Sequence, residues 1–248
     1  MFDGKAAIVT GAGRGIGRAI AMALAARAAR VMVNDIEEAA VERVVAEIRD
    51  LGGAAVGMVA DVTREEEVDK LVSACVSKFD TVDILVNNAG IVQTGPLTSI
   101  TAADWDRVMA VNLKGVFLCC RAVFPIMMQK GGGKIVNVAS VAGKRGGGLL
   151  GNSCYAASKG GVIAFTKSAA REGAPYGINV NAVAPALTDT DMTAGMDANQ
   201  RDAILGMVPL GRAGRPEDVA KAVCFLASSE SDYLTGEIMD VDGGLMMD

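Results

Sequence analysis

The segment Ala6-Ala7-Ile8-Val9-Thr10-Gly11-Ala12-Gly13-Arg14-Gly15-Ile16-Gly17 decides the fold. Its first five residues form a short aliphatic run of strand type, and the alanine-rich stretch after Gly17 continues as a helix to Ala28. Four glycines stand between them. A glycine-rich strand-to-helix turn brings backbone N–H groups and a helix N-terminus to one point, which suits a pyrophosphate. Gly11, Gly15 and Gly17 follow G-x-x-x-G-x-G; the pattern G-x-G-x-x-G fails because Ile16 occupies the sixth place. Gly11, Arg14, Gly15, Ile16 and Gly17 are therefore candidate phosphate-turn residues, although such a turn also serves packing alone.

Outward from this turn, short β-branched or aliphatic runs recur between helical patterns at Arg30–Val33, Ala54–Val59, Ile84–Asn87, Lys134–Val138, Asn179–Val183 and Glu237–Val241. With Ala6–Thr10 they make seven strands. They are continuously apolar rather than alternating, as parallel strands covered on both faces are. The fold class expected is α/β, a doubly wound, Rossmann-type parallel sheet with helices on both faces. Thr63-x-x-Glu66 and Thr101-x-x-Asp104 resemble capping boxes, and Pro216 suits a first helical position. No linker or repeat divides the chain, so 1–248 is expected to form one domain. The segment 186–210, between Pro185 and Pro209, is read as a substrate loop or lid. Its Leu187, Met192, Met196 and Met207 either line an apolar pocket or pack a surface helix on the core.

Composition narrows the chemistry. The chain has 248 residues, 51% hydrophobic and 21% charged, so it can bury a sizeable core. Its net charge of −5 offers no positive field for a phosphate backbone, and no nucleic-acid partner is expected. Uninterrupted apolar runs such as Ala19–Ala26 and Val116–Cys120 fall short of the roughly 20 residues that span a bilayer, so no membrane association is expected. The opening Met-Phe-Asp-Gly-Lys lacks a basic stretch followed by an apolar run, and the expected compartment is the cytoplasm. Cys75, Cys119, Cys120, Cys154 and Cys224 contain no C-x-x-C pair and suit buried reduced thiols. The chain has no His, which removes every His triad and His metal site; no metal is expected, and acid/base work falls to Tyr, Lys, Asp, Glu or Cys.

Two further features suggest which ligand and which chemistry. Asp35 lies at the end of the second strand, eighteen residues after Gly17, where a carboxylate accepts hydrogen bonds from the hydroxyls of an adenosine ribose. A 2′-phosphate there would meet like charge, so NAD(H) is expected to be preferred; Arg14, a cation in the turn, leaves NADP(H) as the alternative. Of three tyrosines only Tyr155 is followed four positions later by a lysine, Lys159, and Asn152 or Ser153 can cap a helix that puts both on one face. A phenol of pKa about 10 works at neutral pH only if its phenolate is stabilised by ~4 kcal/mol, part of which a nearby ammonium supplies. An amphipathic tyrosine beside a solvated lysine is the bland alternative.

Together Thr10–Gly17, Asn87-Asn88-Ala89-Gly90, Ser140 and Tyr155-x-x-x-Lys159 resemble the short-chain dehydrogenase/reductase family along nearly the whole chain, with Pro185, Thr190, Gly236 and Asp242-Gly243-Gly244 continuing the likeness. The resemblance implies an NAD(P)(H)-dependent oxidoreductase interconverting a secondary alcohol and a ketone. It implies Tyr155 as acid/base, Ser140 holding the substrate oxygen, Lys159 on the nicotinamide ribose and lowering the Tyr155 pKa, and Asn112 anchoring a proton-relay water. It also places Asp61 and Val62 near adenine, Asn88, Ala89 and Gly90 on the adenosine side, and Thr188 and Thr190 near the carboxamide. A homotetramer assembled through Asp104–Lys130 and Ser153–Tyr176 is implied too. Within the family the chain is most similar to 3-oxoacyl-(acyl-carrier-protein) reductases, through Pro209-Leu210-Gly211-Arg212 and Phe225-Leu226-Ala227-Ser228. It departs from them in four ways: Gly131 and Tyr176 stand where those reductases present arginines to the carrier protein, Pro185 is followed by Ala186, and the Ser140-to-Tyr155 segment is about two residues longer. The substrate implied is a 3-oxoacyl thioester of carrier protein or coenzyme A; another small secondary alcohol, or dinucleotide binding without catalysis, is the alternative. In the Gly143–Gly151 loop, Lys144 and Arg145 either attract an anionic substrate or are solvated. Cys154 is either reactive or packed and inert.

Overall fold

A computed structural model describes residues 2–147 and 151–247. Seven parallel strands form one sheet: β1 (Ala6–Val9), β2 (Arg30–Asp35), β3 (Ala54–Val59), β4 (Ile84–Asn87), β5 (Gly133–Val138), β6 (Ile178–Pro185) and β7 (Ile238–Val241). Their spatial order is β3-β2-β1-β4-β5-β6-β7. The chain winds from β1 outward to β3, then crosses back to place β4 on the other side of β1. That reversal makes a crevice above the carboxyl ends of β1 and β4, the place where open α/β sheets bind ligands. The seven expected strands are all present; β2 and β6 run further than the sequence suggested, which brings Asp35 and Pro185 into the sheet's upper edge.

Alternation along the strands divides the core. Ala7 and Val9 face one apolar cluster, packed by α1 (Gly15–Ala25), α2 (Glu38–Asp50) and α9 (Pro216–Leu226), whereas Ala6 and Ile8 face a second, packed by α3 (Glu65–Phe79), α5 (Gly115–Lys130) and α7 (Ser153–Gly173). The edge strands depart from continuous burial: β3 exposes Ala54, Gly57 and Val59, and β7 is buried only at Ile238. A buried polar chain crosses the second face: Asn87 and Asn137 stand in register on β4 and β5, Asn87 Nδ2 donates to Asn137 Oδ1 (2.9 Å), and Asn137 Nδ2 donates to Thr166 Oγ1 of α7 (2.9 Å).

Helix starts are partly as expected. Thr101 and Asp104 form a reciprocal capping box on α4 (Ala102–Met109), Pro216 opens α9, and Asn152 caps α7 by accepting from the Cys154 and Tyr155 N–H groups. Thr63 caps nothing: α3 begins two residues later, and Asp61 Oδ1 accepts the Thr63 N–H instead while Glu67 accepts that of Asp61. Between α4 and α5 the chain makes a wide π-turn, Ala110–Lys114, where one helix was expected. The whole stretch Ala102–Lys130 is helical for 29 residues, and its most apolar 18-residue window has a mean hydropathy of 1.5, long and apolar enough by length and composition to cross a bilayer, a property that counting uninterrupted apolar runs missed. Here 44% of its most apolar window is buried, against α3, α7 and the sheet.

Candidate active site

A cleft of about 540 Å³ runs along the carboxyl edge of the sheet, from the end of β2 to the start of α7. At one end lies the glycine turn. Gly11 adopts φ 60°, and a side chain there would press on Ala89, while a Cβ on Gly17 would meet the Gly11 carbonyl oxygen at 2.1 Å. Glycine is thus required for α1 to start this close to β4. The N-cap of α1 is Arg14, whose side chain caps nothing, so the helix presents its first N–H groups to the cleft as an anion would need. Asn88 Nδ2 donates to the carbonyls of Thr10 and Gly11 (3.0 and 2.9 Å), tying the turn to the residue that follows β4.

Asp35 closes this end. Its Oδ2 accepts from the Gly13 N–H (3.0 Å) and its Oδ1 from those of Ile36 and Glu37 (2.8 and 3.3 Å). Gly11, Arg14, Gly15, Ile16, Gly17, Asp35, Asp61, Val62, Asn88, Ala89 and Gly90 all line the cleft. At the other end are Ser140, Tyr155, Lys159 and Thr188, whereas Thr190 lines the cleft beside the glycine turn, its Cγ2 3.5 Å from where a Cβ on Gly15 would lie. Ser140 ends the crossover from β5 and caps α6 (Val141–Arg145), accepting the Ala142 N–H. Thr188 and Thr190 lie in a turn stapled by Thr193, whose hydroxyl donates to Thr188 O (2.7 Å) and accepts from Thr190 N–H (3.1 Å).

Burial governs the titratable pair. Lys159 is 4% exposed, and burial lowers its pKa from 10.5 to about 8. Its Nζ donates to Val138 O (2.8 Å) and lies 5.9 Å from the centre of the Tyr155 ring, keeping further N–H donors for a ligand. Burial raises the Tyr155 phenol, and a hydrogen bond from Ser140 offsets part of the rise. In the free protein the net effect on Tyr155 is thus a rise above the ordinary 10.0, set by burial. Asn112 does not line the cleft. It is fully buried in the π-turn, where Oδ1 accepts from Ile91 N–H (2.8 Å) and Nδ2 donates to Ile91 O and Ser158 Oγ (2.9 and 3.0 Å). It nevertheless reaches Lys159 through Gly90: a Cβ there would lie 3.4 Å from both Asn112 Oδ1 and Lys159 Nζ.

In segment 186–210, Leu187 and Met192 line the cleft, Met196 packs in a small cluster beneath it, and Met207 is exposed. The segment contains α8 (Ala198–Leu205), so pocket and helix coexist. Lys144 is neither solvated nor offered to the cleft: it pairs with Asp240 of β7 (2.6 Å), both largely buried. Residues 148–150 of the Gly143–Gly151 loop lie outside the described residues. Cys154 is buried, and burial together with the nearby Asp104 carboxylate raises its pKa, which favours the packed thiol over the reactive one. Sequence reasoning missed Ile91 and Arg107, which line the cleft from the far wall; neither sits in a local pattern that marks it. Gly131 and Tyr176 precede β5 and β6, at the sheet edge opposite the cleft.

A family described as enoyl-(acyl carrier protein) reductase matches residues 11–246. Curated relatives named 3-oxoacyl-[acyl-carrier-protein] reductase include one from Synechocystis sp., 45% identical over 98% of this chain and 97% of its own length. Those from Escherichia coli (45%) and Thermotoga maritima (42%) are each covered over 99% of both chains. The chain belongs to the short-chain dehydrogenase/reductase family. As a member it is an NAD(P)-dependent oxidoreductase acting on CH–OH groups. The dinucleotide fits the residues present: an uncapped helix N-terminus for its phosphates, a clasped carboxylate at one end and a buried ammonium at the other.

Proposed function

We propose that the chain reduces a 3-oxoacyl thioester to the 3-hydroxyacyl product, or runs the reverse, with NAD(H) preferred over NADP(H). The observation that carries this is the convergence of Ser140, Tyr155 and Lys159 at one end of a cleft whose other end is Asp35. When bound, the nicotinamide supplies the hydride. Tyr155 Oη donates the proton that the substrate oxygen takes up, and Ser140 donates a second hydrogen bond to that oxygen, an arrangement suited to a carbonyl rather than a carbon–carbon double bond. The Lys159 ammonium holds the ribose and favours the phenolate left behind. Asn112 fastens the π-turn to Ile91 and to Ser158, one residue before Lys159, and so positions the lysine. Ile91, Val141, Leu187 and Met192 give the substrate end an apolar lining that suits an acyl chain.

Coenzyme A thioesters are favoured over carrier-protein ones because Gly131 and Tyr176 offer no charge at the positions where the reductases this chain resembles present arginines to the carrier protein. The proposed tetramer uses the outer faces of α5 and α7, where Phe117 meets Phe165 edge to face (6.4 Å) and Arg121 lies over Phe117. An absorbance assay with NADH and NADPH against 3-oxoacyl thioesters of both carriers, simple ketones, steroids and sugars tests the activity. NADH is expected to be used at least ~10-fold more efficiently, by ~1.4 kcal/mol. Equal kcat/KM for the two dinucleotides contradicts the cofactor choice, and dinucleotide binding without turnover on any of these substrates contradicts the reaction.

A further inference from the structure

Gly13 does not line the cleft, and it is absent from the glycines in the left-handed region, so its backbone would accept any residue. What glycine provides there is room. A Cβ on residue 13 would lie 2.9 Å from Asp35 Oδ2 and 2.7 Å from the Cβ of Ala40 on α2. Into that room the Asp35 carboxylate swings, and the Gly13 N–H donates to the same Oδ2 at 3.0 Å. The turn is itself held against β2 and α2: Ala12 N–H donates to Asn34 O (2.8 Å) and Arg43 Nη2 to Gly13 O (2.9 Å). Because Oδ1 already accepts two N–H groups, Oδ2 is the oxygen with acceptor capacity left for a ribose hydroxyl.

We infer that Gly13 is the positioning residue for dinucleotide choice: it holds Asp35 Oδ2 where the adenosine ribose hydroxyls dock and stops the carboxylate rotating aside to admit a 2′-phosphate. The inference rests on the NAD(H) preference proposed above. It extends that preference from the acid itself to the residue that aims it.

The test is Gly13→Ala combined with Ala40→Gly, which removes the clash with α2 and leaves Asp35 Oδ2 as the atom that must yield. Equilibrium titration of the free protein with NADH and NADPH reads the result, with thermal unfolding as the check on folding. Kd for NADH should rise about tenfold, the scale of one hydrogen bond to a charged group, while Kd for NADPH stays within about twofold or falls. In an Asp35→Ala background the same pair of changes should leave Kd for NADH unaltered, because Gly13 acts through that carboxylate. Arg43→Met, which loosens the turn without adding an atom beside Asp35, should shift the NADH value in the same direction by about threefold. Wild-type protein that does not favour NADH overturns the underlying preference. Wild-type protein that favours NADH, with variants at 13 and 43 that bind it unchanged while Asp35→Ala weakens it, overturns the role of Gly13 alone.

Discussion

Tyr155 and Lys159 sit four apart near the start of α7, Lys159 buried and Tyr155 half-buried at the cleft, and each bears the cost differently. Tyr155→Phe is expected to keep NADH affinity within about threefold and to lose at least ~10³-fold in kcat, as removal of a principal acid/base group does; titration and steady-state kinetics on one preparation measure both. Lys159 is held at about 8, below its ordinary 10.5, so the folded state binds its proton less well than the unfolded chain does. The charge therefore costs stability at every pH below about 8, and the cost fades as pH rises toward 10.5. Lys159→Met should abolish turnover while stabilising the free protein at pH 7 by about 1 kcal/mol, after loss of the bond to Val138 is set against roughly 2–3 kcal/mol of desolvation. That gain should read as a melting temperature a few degrees higher at pH 7, with no gain at pH 10. Both residues were legible in the sequence because a four-residue spacing on a helix is local. Lys144 was not, because its partner Asp240 lies 96 positions away and only the closed sheet brings them together.

The strands and the glycine turn could be read from composition, since a buried parallel strand must be apolar whatever its neighbours. The π-turn could not. Nothing in Ala110-Val111-Asn112-Leu113-Lys114 departs from helical pattern; the extra residue is accommodated because Asn112 finds Ile91 and Ser158 on other elements. Thr63 shows the opposite failure, a capping pattern overridden when Glu67 is recruited to the Asp61 N–H. The Asn87–Asn137–Thr166 chain ties β4, β5 and α7 together away from the cleft lining. Thr166→Val removes the acceptor for Asn137 Nδ2, and chemical denaturation should show a loss of about 1–3 kcal/mol, the cost of one buried donor left unmade. NADH affinity should be unchanged; a parallel loss of affinity would mean that the chain helps to aim Lys159.

Across the molecule the two edges of the sheet do different work. The carboxyl edge holds the cleft, whereas the amino edge is fastened by Asp83, which accepts from the Ala6 N–H (2.8 Å) and pairs with Lys130 and, at 3.6 Å, with Lys5. Burial alone would raise the Asp83 pKa, but Lys130, the Ala6 N–H and Lys5 together hold it below the ordinary 3.8. The stabilisation is thus complete above that value and is lost as pH falls through the folded pKa. Asp83→Asn should lower the denaturation midpoint at pH 7 and flatten its decline between pH 4 and pH 2 on the order of one titrating group's share, as acid titration of unfolding will show. The five thiols are all buried, with Cys75 and Cys119 pushed up to about 12. A thiol-reactive chromophore should label none of them in the native protein and all five once guanidinium unfolds it. The chain's last described turns have an unequal position. Asp242 accepts the N–H groups of Gly244 and Met246 (2.9 and 2.6 Å), and Leu245 and Met246 pack beside Leu187 and Ile204. A purification handle attached ahead of β1 emerges at the fastened edge, a strand's length from any chemistry, whereas one attached behind Met247 pulls on the floor of the substrate loop. Comparing kcat/KM between proteins tagged at either end checks this: the tag behind Met247 is expected to lower it and the tag ahead of β1 to leave it unchanged.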